Sequence, residues 1–338
     1  MVDNRWSIVF SNPGQVDLQE EPLKMSDPGS LLVQTCASGI SAGTELLIYR
    51  GQFPQNLAMD ENLPALAGEF QYPVKYGYAA VGRVIDAGPQ ADPSWVGKLV
   101  FCFHPHTSHI WADPDDLLPV PEDISPEEAI FLPNMETAVN LVMDGSPLLG
   151  EEVVVFGQGV VGLLTTALLG WFPLRSLVTV DRFALRRAAS LELGAHDCLD
   201  PAGLTEGLPA LLPAGADLVY ELSGSPAVLD DAIAATGFAG RVIVGSWYGQ
   251  KRASLDLGGR FHRSRIQLIS SQVSTLAPEL TGRWNKARRF QVAWEMIRRL
   301  RPSRLVTHRL PFHQAAEAYR LLDQSPQETI QVVLEYER

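Results

Sequence analysis

The chain has 338 residues, of which 46% are hydrophobic, and a formal net charge of -12. This length favours two domains, and the apolar fraction is sufficient for buried cores. The acidic residues are spread along the chain, which argues against nucleic acid or an anionic membrane as the main partner.

The cysteines and the apolar runs indicate a reducing, aqueous compartment. Cys36, Cys102 and Cys198 are far apart and form no C-x-x-C pair, so neither a disulfide framework nor a cysteine-rich zinc site is expected. The N-terminal residues lack a basic head followed by an apolar run, and runs such as 160–169 are too short to span a bilayer. We expect a cytoplasmic protein without a membrane partner.

Residues 1–136 are predicted to form a mostly β domain. Short β-like runs such as SLLVQTCAS, AAVGRVIDAG and KLVFCF alternate there with glycine- and proline-containing turns. This pattern is typical of a compact domain built from short strands.

The pattern changes in residues 137–273, where short apolar strands alternate with helical segments. Strands are predicted at 151–156, 177–180, near 198, and at 218–222, 242–244 and 266–269. Helices are predicted between most of them, including 160–171 and 184–193. Six strands alternating with helices predict an α/β domain with a doubly wound parallel sheet.

Residues 274–338 are too few for a good separate domain. They begin with an arginine-rich helix, whose arginines from Arg283 to Arg289 and at 298, 299 and 301 are predicted to form a solvated face. A strand-like RLVTHRL, a helix at 314–322 and a strand IQVVLEY follow. We expect this segment to return and complete the first domain.

A glycine-rich turn follows the first strand of the α/β domain. Residues 157–162 read G-Q-G-V-V-G, with Gly157, Gly159 and Gly162 as the glycines. Gly157 permits a tight turn, Gly159 admits a pyrophosphate close to the backbone, and Gly162 allows close packing of helix on strand. The helix N-terminus then offers free N–H groups to the phosphates. The turn predicts a dinucleotide site.

Asp181 predicts which dinucleotide is bound. It ends the second strand, where a carboxylate can accept hydrogen bonds from the adenosine ribose and repel a 2′-phosphate. NAD(H) is therefore expected rather than NADP(H). Arg182 beside it is the one residue that could instead favour NADP(H).

The sequence resembles the medium-chain dehydrogenase/reductase superfamily, the alcohol dehydrogenase group, over nearly the whole chain. The resemblance lies in G-I-x-x-G-T-E at 39–45, Y-G-Y-A-A-V-G-R-V at 76–84, the glycine turn, E-L-S-G at 221–224 and V-G-S-W at 244–247. It implies a GroES-like β domain joined to a Rossmann domain. The cofactor contacts it implies are the turn residues Gly157, Gln158, Gly159, Val160, Val161 and Gly162, with Thr137, Asp181, Arg182, Ser223, Gly224, Gly245 and Ser246.

The zinc ligands of that superfamily are replaced in this chain. Positions that hold cysteine, histidine and glutamate in zinc-dependent members correspond here to Ser41, Tyr78 and Ala79. Residues 133–135 contain no cysteine, and residues 101–111 contain only Cys102. Because zinc needs three or four suitable ligands, we expect both zinc sites to be lost.

A histidine-rich stretch could provide another metal site. It contains His104, His106 and His109, and the first two would share one side of a strand. A surface or substrate-facing loop is the favoured interpretation, because no matching acidic or cysteine cluster is evident.

Without zinc, a side chain must handle the proton of the substrate oxygen. The candidates are Tyr78, Glu136, His106 and Ser41, with Tyr78 first as the group contacting the substrate oxygen. For Tyr78 the alternative is packing in the former zinc cavity, and for Glu136 it is a structural hydrogen bond. For Glu45 the same two interpretations apply as for Glu136, a general base or a structural hydrogen bond.

Three functions remain open. The first is a zinc-independent dehydrogenase of an alcohol or sugar, favoured by Asp181 and by a resemblance to the branch that contains bacteriochlorophyllide dehydrogenases. The second is an enoyl or quinone reductase, and the third is a non-catalytic dinucleotide-binding protein.

Trp247 and Tyr248 could wall the pocket of a flat small-molecule substrate or pack in the core. The apolar strand 265–272 predicts a homodimer.

Overall fold

A computed structural model describes residues 3–25, 27–54, 59 and 64–336. The chain divides into two compact units: unit 1 comprises Met1–Pro133 and Arg301–Arg338, and unit 2 comprises Asn134–Leu300. Residues 274–300, which the sequence assigned to the returning segment, therefore lie in unit 2. Among the described residues, no helix is long and apolar enough to cross a membrane.

Unit 1 is built around a mostly antiparallel sheet. Elements are numbered in chain order through the whole molecule. Its strands are β1 (Asn4–Asn12), β2 (Gln15–Pro22), β3 (Leu31–Ile40), β4 (Ala80–Ala87), β5 (Leu99–Cys102), β6 (His109–Ala112), β7 (Leu117–Pro119), β14 (Val306–Pro311) and β15 (Gln331–Glu335). Its helices include α1 (Ala42–Tyr49), α2 (Pro126–Ala129) and α9 (Ala315–Gln324).

The C-terminal segment completes this sheet, as expected from the sequence. The strand order is β14-β15-β3-β4-β5-β7, with β6 also paired to β3, while β1 and β2 form a separate antiparallel pair. β15 pairs antiparallel with β3, so that Val332 lies opposite Ile40. The end of β3 and the start of α1 are thereby held against the core of unit 1.

Unit 2 contains the predicted six-stranded parallel sheet. Its strands are β8 (Glu152–Phe156), β9 (Ser176–Val180), β10 (Asp197–Leu199), β11 (Ala216–Glu221), β12 (Thr236–Val244) and β13 (Gln267–Ser270). Its helices are α3 (Leu132–Gly145), which begins in unit 1, α4 (Val160–Leu169), α5 (Ala184–Glu192), α6 (Leu204–Leu211), α7 (Val228–Ala235) and α8 (Lys286–Leu300). The order β10-β9-β8-β11-β12-β13 confirms the doubly wound fold within the described residues.

The register of this sheet brings the candidate cofactor residues to one edge. Phe156 at the end of β8 pairs with Val180 of β9 on one side and Glu221 of β11 on the other. The next residues along these strands are Gly157, Asp181 and Leu222. Parallel strands end at the same edge, so the glycine turn and Asp181 lie side by side.

The prediction of a solvated arginine face on α8 is wrong for Arg289. Arg283, Arg288, Arg298 and Arg299 are exposed, but Arg289 is completely buried. It lies on the helix face that also buries Ala293 and Ile297 four and eight residues later. This arginine is an internal residue of unit 2.

Candidate functional site

The glycine turn after β8 has the backbone that the sequence predicted. Gly157 has φ +87°, and a Cβ there would lie 2.5 Å from the Cα of Ser223. Only glycine adopts this conformation in this space without strain. Its N–H donates to Val180 O at 2.8 Å, which fixes the turn to the end of β9.

Gly159 and Gly162 play different parts in the same turn. A Cβ on Gly159 would have no heavy atom within 4 Å, whereas a Cβ on Gly162 would lie 1.9 Å from Gly157 O. There is therefore free space beside Gly159, whereas Gly162 packs directly against the backbone of Gly157. The first hydrogen bond of α4 runs from Leu163 N–H to Gly159 O at 2.8 Å, so the N–H groups of Val160 and Val161 precede the helix ladder. This open helix N-terminus suits a phosphate.

Gln158 differs from its neighbours because its side chain points into the core. The side chain is fully buried and accepts a hydrogen bond from Thr166 Oγ1 at 2.9 Å. Its backbone N–H donates to Asp181 Oδ2 at 2.7 Å. Gln158 thus supports the turn through its side chain rather than presenting that side chain to a ligand.

Asp181 lies at the end of β9 with its carboxylate fixed on both oxygens. Besides the bond from Gln158, Oδ1 accepts the Phe183 N–H at 2.8 Å. Each carboxylate oxygen has a further lone pair, which can accept from a ribose hydroxyl. The neighbouring Arg182 is exposed, and its guanidinium lies over the Phe183 ring at 4.5 Å.

The ends of β11 and β12 form the other half of this edge. The buried Glu221 carboxylate accepts hydrogen bonds from Ser223 N–H at 2.8 Å and from the Tyr248 hydroxyl. Burial and this carboxylate raise the pKa of Tyr248 above its usual value. Gly224 N–H donates to Ser246 Oγ at 2.9 Å, which joins the two strand ends.

The candidates Trp247 and Tyr248 occupy different surroundings. The Trp247 side chain is 42% exposed. Tyr248 packs beside the core of unit 2 while its hydroxyl reaches Glu221. Tyr248 therefore braces the strand end, and Trp247 is the one of the pair that is accessible.

Unit 1 brings together Ser41, Tyr78 and Thr44. The Tyr78 hydroxyl donates to Ser41 Oγ and lies 3.4 Å from Thr44 Oγ1. Tyr78 follows Gly77, whose φ of +126° and close approach to the His106 ring leave no room for a Cβ. The turn therefore directs Tyr78 toward the start of α1, where it is partly exposed.

Glu45 and His106 lie directly beneath this hydroxyl group cluster and are both fully buried. Glu45 Oε1 accepts the Ser41 N–H at 2.7 Å, and Oε2 lies 3.0 Å from His106 Nε2. His106 Nδ1 lies 2.8 Å from Ser38 Oγ on the other side. His106 is thus enclosed between a carboxylate and a hydroxyl, where it supports Glu45 and through it Ser41.

Tyr319 of α9 completes this buried network. Its hydroxyl donates to Glu45, and burial together with Glu45 raises its pKa well above the usual value. Sequence reasoning did not find Tyr319, because 274 residues separate it from Glu45. Only the return of the C-terminal segment brings the two together.

Glu136 lies in unit 2 and is the ion-pair partner of the buried Arg289. Arg289 Nη2 donates to Glu136 Oε1 at 2.8 Å. Burial raises the pKa of Glu136, while Arg289 and Lys286 act in the opposite direction. Glu136 therefore makes a structural ion pair, which is the alternative that the sequence analysis gave to a role as general base. Thr137, the next residue, is partly exposed.

A family profile described as "Zinc-binding dehydrogenase" matches residues 160–291. D-guloside 3-dehydrogenase of Escherichia coli (strain K12) is 24% identical over 78% of this chain and 77% of its own. The 2-desacetyl-2-hydroxyethyl bacteriochlorophyllide A dehydrogenase of Cereibacter sphaeroides is 23% identical over 98% of both chains. The crystal structure of the short chain alcohol dehydrogenase RspB from E. coli CFT073, complexed with NADH, superposes with a TM-score of 0.79 at 19% identity, covering 99% of this chain and 100% of the other.

The profile lies within unit 2 and begins at α4, whereas the matches to the bacteriochlorophyllide dehydrogenase and to the RspB structure extend over both units. These comparisons support the predicted resemblance to the medium-chain dehydrogenase/reductase superfamily. The expectation of an oxidoreductase is confirmed at that level, and so is the resemblance to the bacteriochlorophyllide dehydrogenase.

The hydroxyl cluster lies at the positions that the sequence resemblance assigns to zinc ligands. Ser41 and Tyr78 bond to each other there, and Ala79 is buried. A hydroxyl pair and a methyl group do not provide the thiolate and imidazole ligands that zinc prefers. The residues present therefore do not fit the metal.

The histidine-rich stretch is not arranged as a metal site. Within the described residues, no group of three or more histidine, cysteine or acidic side chains could hold a metal ion. His104 Nδ1 lies 2.9 Å from its neighbour Pro105 O, and burial lowers the pKa of His104 to about 4. His106 is enclosed by Glu45 and Ser38, so the two rings have separate partners.

Proposed function

We propose that this protein is a zinc-independent, NAD(H)-dependent oxidoreductase that moves a hydride between nicotinamide and an alcohol or ketone. The observation that carries the proposal is the hydroxyl cluster of Ser41, Thr44 and Tyr78 at positions where zinc-dependent relatives hold their metal. A polar cluster fits a substrate oxygen better than it fits hydrophobic filling of a former zinc cavity, because its partly exposed hydroxyls can make further hydrogen bonds.

The glycine turn fits a dinucleotide. Space beside Gly159 and the N–H groups at the start of α4 suit a pyrophosphate. The Asp181 carboxylate suits ribose hydroxyls and disfavours a 2′-phosphate, which supports NAD(H) over NADP(H). Arg182, the residue that could favour NADP(H), is exposed, and its guanidinium stacks on the Phe183 ring.

The cofactor supplies or accepts the hydride, and the chain must manage the substrate oxygen. Alcohol oxidation releases a proton from that oxygen, and ketone reduction consumes one. We assign to Tyr78 the hydrogen bond to the substrate oxygen. Ser41 and Thr44 hold its hydroxyl, while the buried Glu45 fixes the Ser41 backbone beneath it.

Replacing Tyr78 tests this assignment. Tyr78→Phe should lower turnover by about 10² to 10⁴, the usual contribution of a general acid–base group, and leave the Kd for NADH unchanged. Steady-state kinetics and calorimetric titration measure the two quantities. Tyr49→Phe is the control, because it removes a hydroxyl from α1 in the same unit. Full turnover in Tyr78→Phe would show that Tyr78 only fills space.

The remaining parts of the proposal concern location and partners. The three cysteines lie far apart in the sequence and form no C-x-x-C pair, which supports a reducing cytoplasmic compartment. A small alcohol, sugar or flat ketone is the proposed substrate class, and the relatives named for guloside and for a hydroxyethyl bacteriochlorophyllide support it.

We also propose a homodimer through the edge strand β13.

A further inference from the structure

Arg289 is the largest fully buried side chain among the described residues, and neither the proposed chemistry nor the glycine turn uses it. Burying a guanidinium is unfavourable unless its donors are satisfied. Its hydrogen bonds to described residues all lie in unit 2. They join α8 to two other elements, which indicates a positioning role rather than a surface ion pair.

The first set of contacts holds helix α3. Arg289 Nε and Nη2 donate to Glu136 Oε1 at 3.1 and 2.8 Å, and Nη1 donates to Asn140 Oδ1 at 2.5 Å. Glu136 and Asn140 are also buried, so these bonds are little screened by solvent. One face of α3 is therefore fixed by a single guanidinium.

The second set holds the segment that follows β13, residues 271–275. Arg289 Nη1 donates to Thr275 O at 3.0 Å, and Nη2 donates to Val273 O. The segment is tied to α3 a second time, because Asn140 Nδ2 donates to Ser271 Oγ at 3.0 Å. Ser271 N–H donates to Val244 O at 3.0 Å, which joins the segment to the end of β12.

The position of this segment in the sheet gives its function. A doubly wound dinucleotide fold consists of two mononucleotide-binding halves, and the cofactor lies across the carboxyl ends of the strands. Asp181 at the end of β9 marks the adenosine half. The ends of β12 and β13, with residues 245–246 and 271–275, therefore lie in the half that receives the nicotinamide ribose.

We propose that Arg289 is a positioning residue for the nicotinamide half of the cofactor, because it clamps segment 271–275 to α3 beside the end of β12. The proposal rests on the proposed dinucleotide function. Lysine keeps the charge but cannot make the planar, forked set of bonds that joins Glu136 to the carbonyls of 273 and 275.

Calorimetric titration of the full chain with NADH and with ADP tests this. ADP lacks the nicotinamide and its ribose, so it reports the adenosine half and the pyrophosphate. Arg289→Lys should weaken NADH binding about tenfold, as expected for the loss of one charge-assisted hydrogen bond, and change ADP binding by less than about twofold. Arg288→Lys, on the exposed side of the same helix, is the matched control and should change neither.

A second variant covers the case in which Arg289→Lys does not fold. Ser271→Ala removes the hydroxyl that bonds Asn140 and Asp144 and leaves Arg289 in place, and it should weaken the binding of NADH more than the binding of ADP. Equal losses for both ligands, or no loss of NADH affinity, would overturn the positioning role. Failure of the unmodified protein to bind either ligand would instead refute the proposed function.

Discussion

At the scale of single residues, local geometry decides which sequence-based assignments are informative. The roles of Gly157 and Gly162 could be predicted because φ +87° and a 1.9 Å approach are properties of the six-residue turn 157–162. The surroundings of Glu136 and His106 could not, because their partners Arg289 and Ser38 are 153 and 68 residues away in the chain. Their positions are set by packing rather than by a local pattern.

Asp181 carries the cofactor preference, and its charge can be removed without changing its size. Asp181→Asn should narrow the preference for NADH over NADPH by about tenfold, because the repulsion between a carboxylate and a 2′-phosphate about 4 Å apart is about 1 kcal/mol in water and larger near a protein surface. Competitive titrations with both cofactors measure the ratio.

Asp197→Asn is the matched control, since it removes an exposed charge from the start of the neighbouring strand β10. A preference for NADPH in the unmodified protein would contradict the assignment and direct attention to Arg182.

At the scale of elements, apolar periodicity predicted the helices at 160–171 and 184–193 and most strands of unit 2 to within about two residues, whereas β12 begins six residues before the predicted strand at 242–244. For α8, the apolar periodicity indicated which face is buried, although the many arginines of the helix suggested a solvated surface. Arg289 stands four residues before Ala293 and eight before Ile297, on the buried face of the helix. Reading the helix by face instead of by composition would have marked this arginine as internal.

The turn between β8 and α4 allows binding and stability to be separated. Gly159→Ala should weaken NADH binding, because its Cβ would enter the open space for the pyrophosphate, and change stability by at most about 0.5 kcal/mol. Gly162→Ala should lower the free energy of unfolding by about 1–3 kcal/mol, since its Cβ meets Gly157 O. Urea denaturation and titration with NADH measure both effects.

The two variants serve as controls for each other. If Gly159→Ala binds NADH as tightly as the unmodified protein, the pyrophosphate does not approach this turn. If Gly162→Ala is as stable as the unmodified protein, the turn relaxes more easily than its geometry indicates.

At the scale of the whole molecule, the sequence predicted that the C-terminal segment returns to the first unit, and β15 paired with β3 is the structural basis of that return. The residue at which the chain passes from unit 2 back to unit 1 is less predictable. The compact units divide at Arg301, after α8, because the buried face of α8 packs in unit 2 and its Arg289 binds Glu136. Periodicity identifies the buried face of α8, but no local pattern identifies Glu136 as the partner of Arg289.

The sheet of unit 2 ends at β13, which predicts how the molecule assembles. Leu268 on this edge strand is 40% exposed, and open apolar edges favour pairing with a second chain. Light scattering at micromolar concentration should report a dimer for the unmodified protein and a monomer for Leu268→Lys. Leu149→Lys, at an 82% exposed leucine elsewhere in the unit, should remain dimeric. A monomeric unmodified protein would refute the edge-to-edge dimer.

The central claim is metal-free hydride transfer to a carbon that bears oxygen, and following the hydride tests it most directly. Chelator-treated protein would be incubated with NADH deuterated at the transferring position of the nicotinamide, together with keto sugars, aryl ketones and enones. Mass spectrometry then locates the deuterium in the products. The account predicts deuterium on the carbon of a newly formed alcohol. Deuterium on the β-carbon of an enone would identify an enoyl reductase, and NADH binding without transfer to any acceptor would identify a non-catalytic dinucleotide-binding protein; either result would contradict the account.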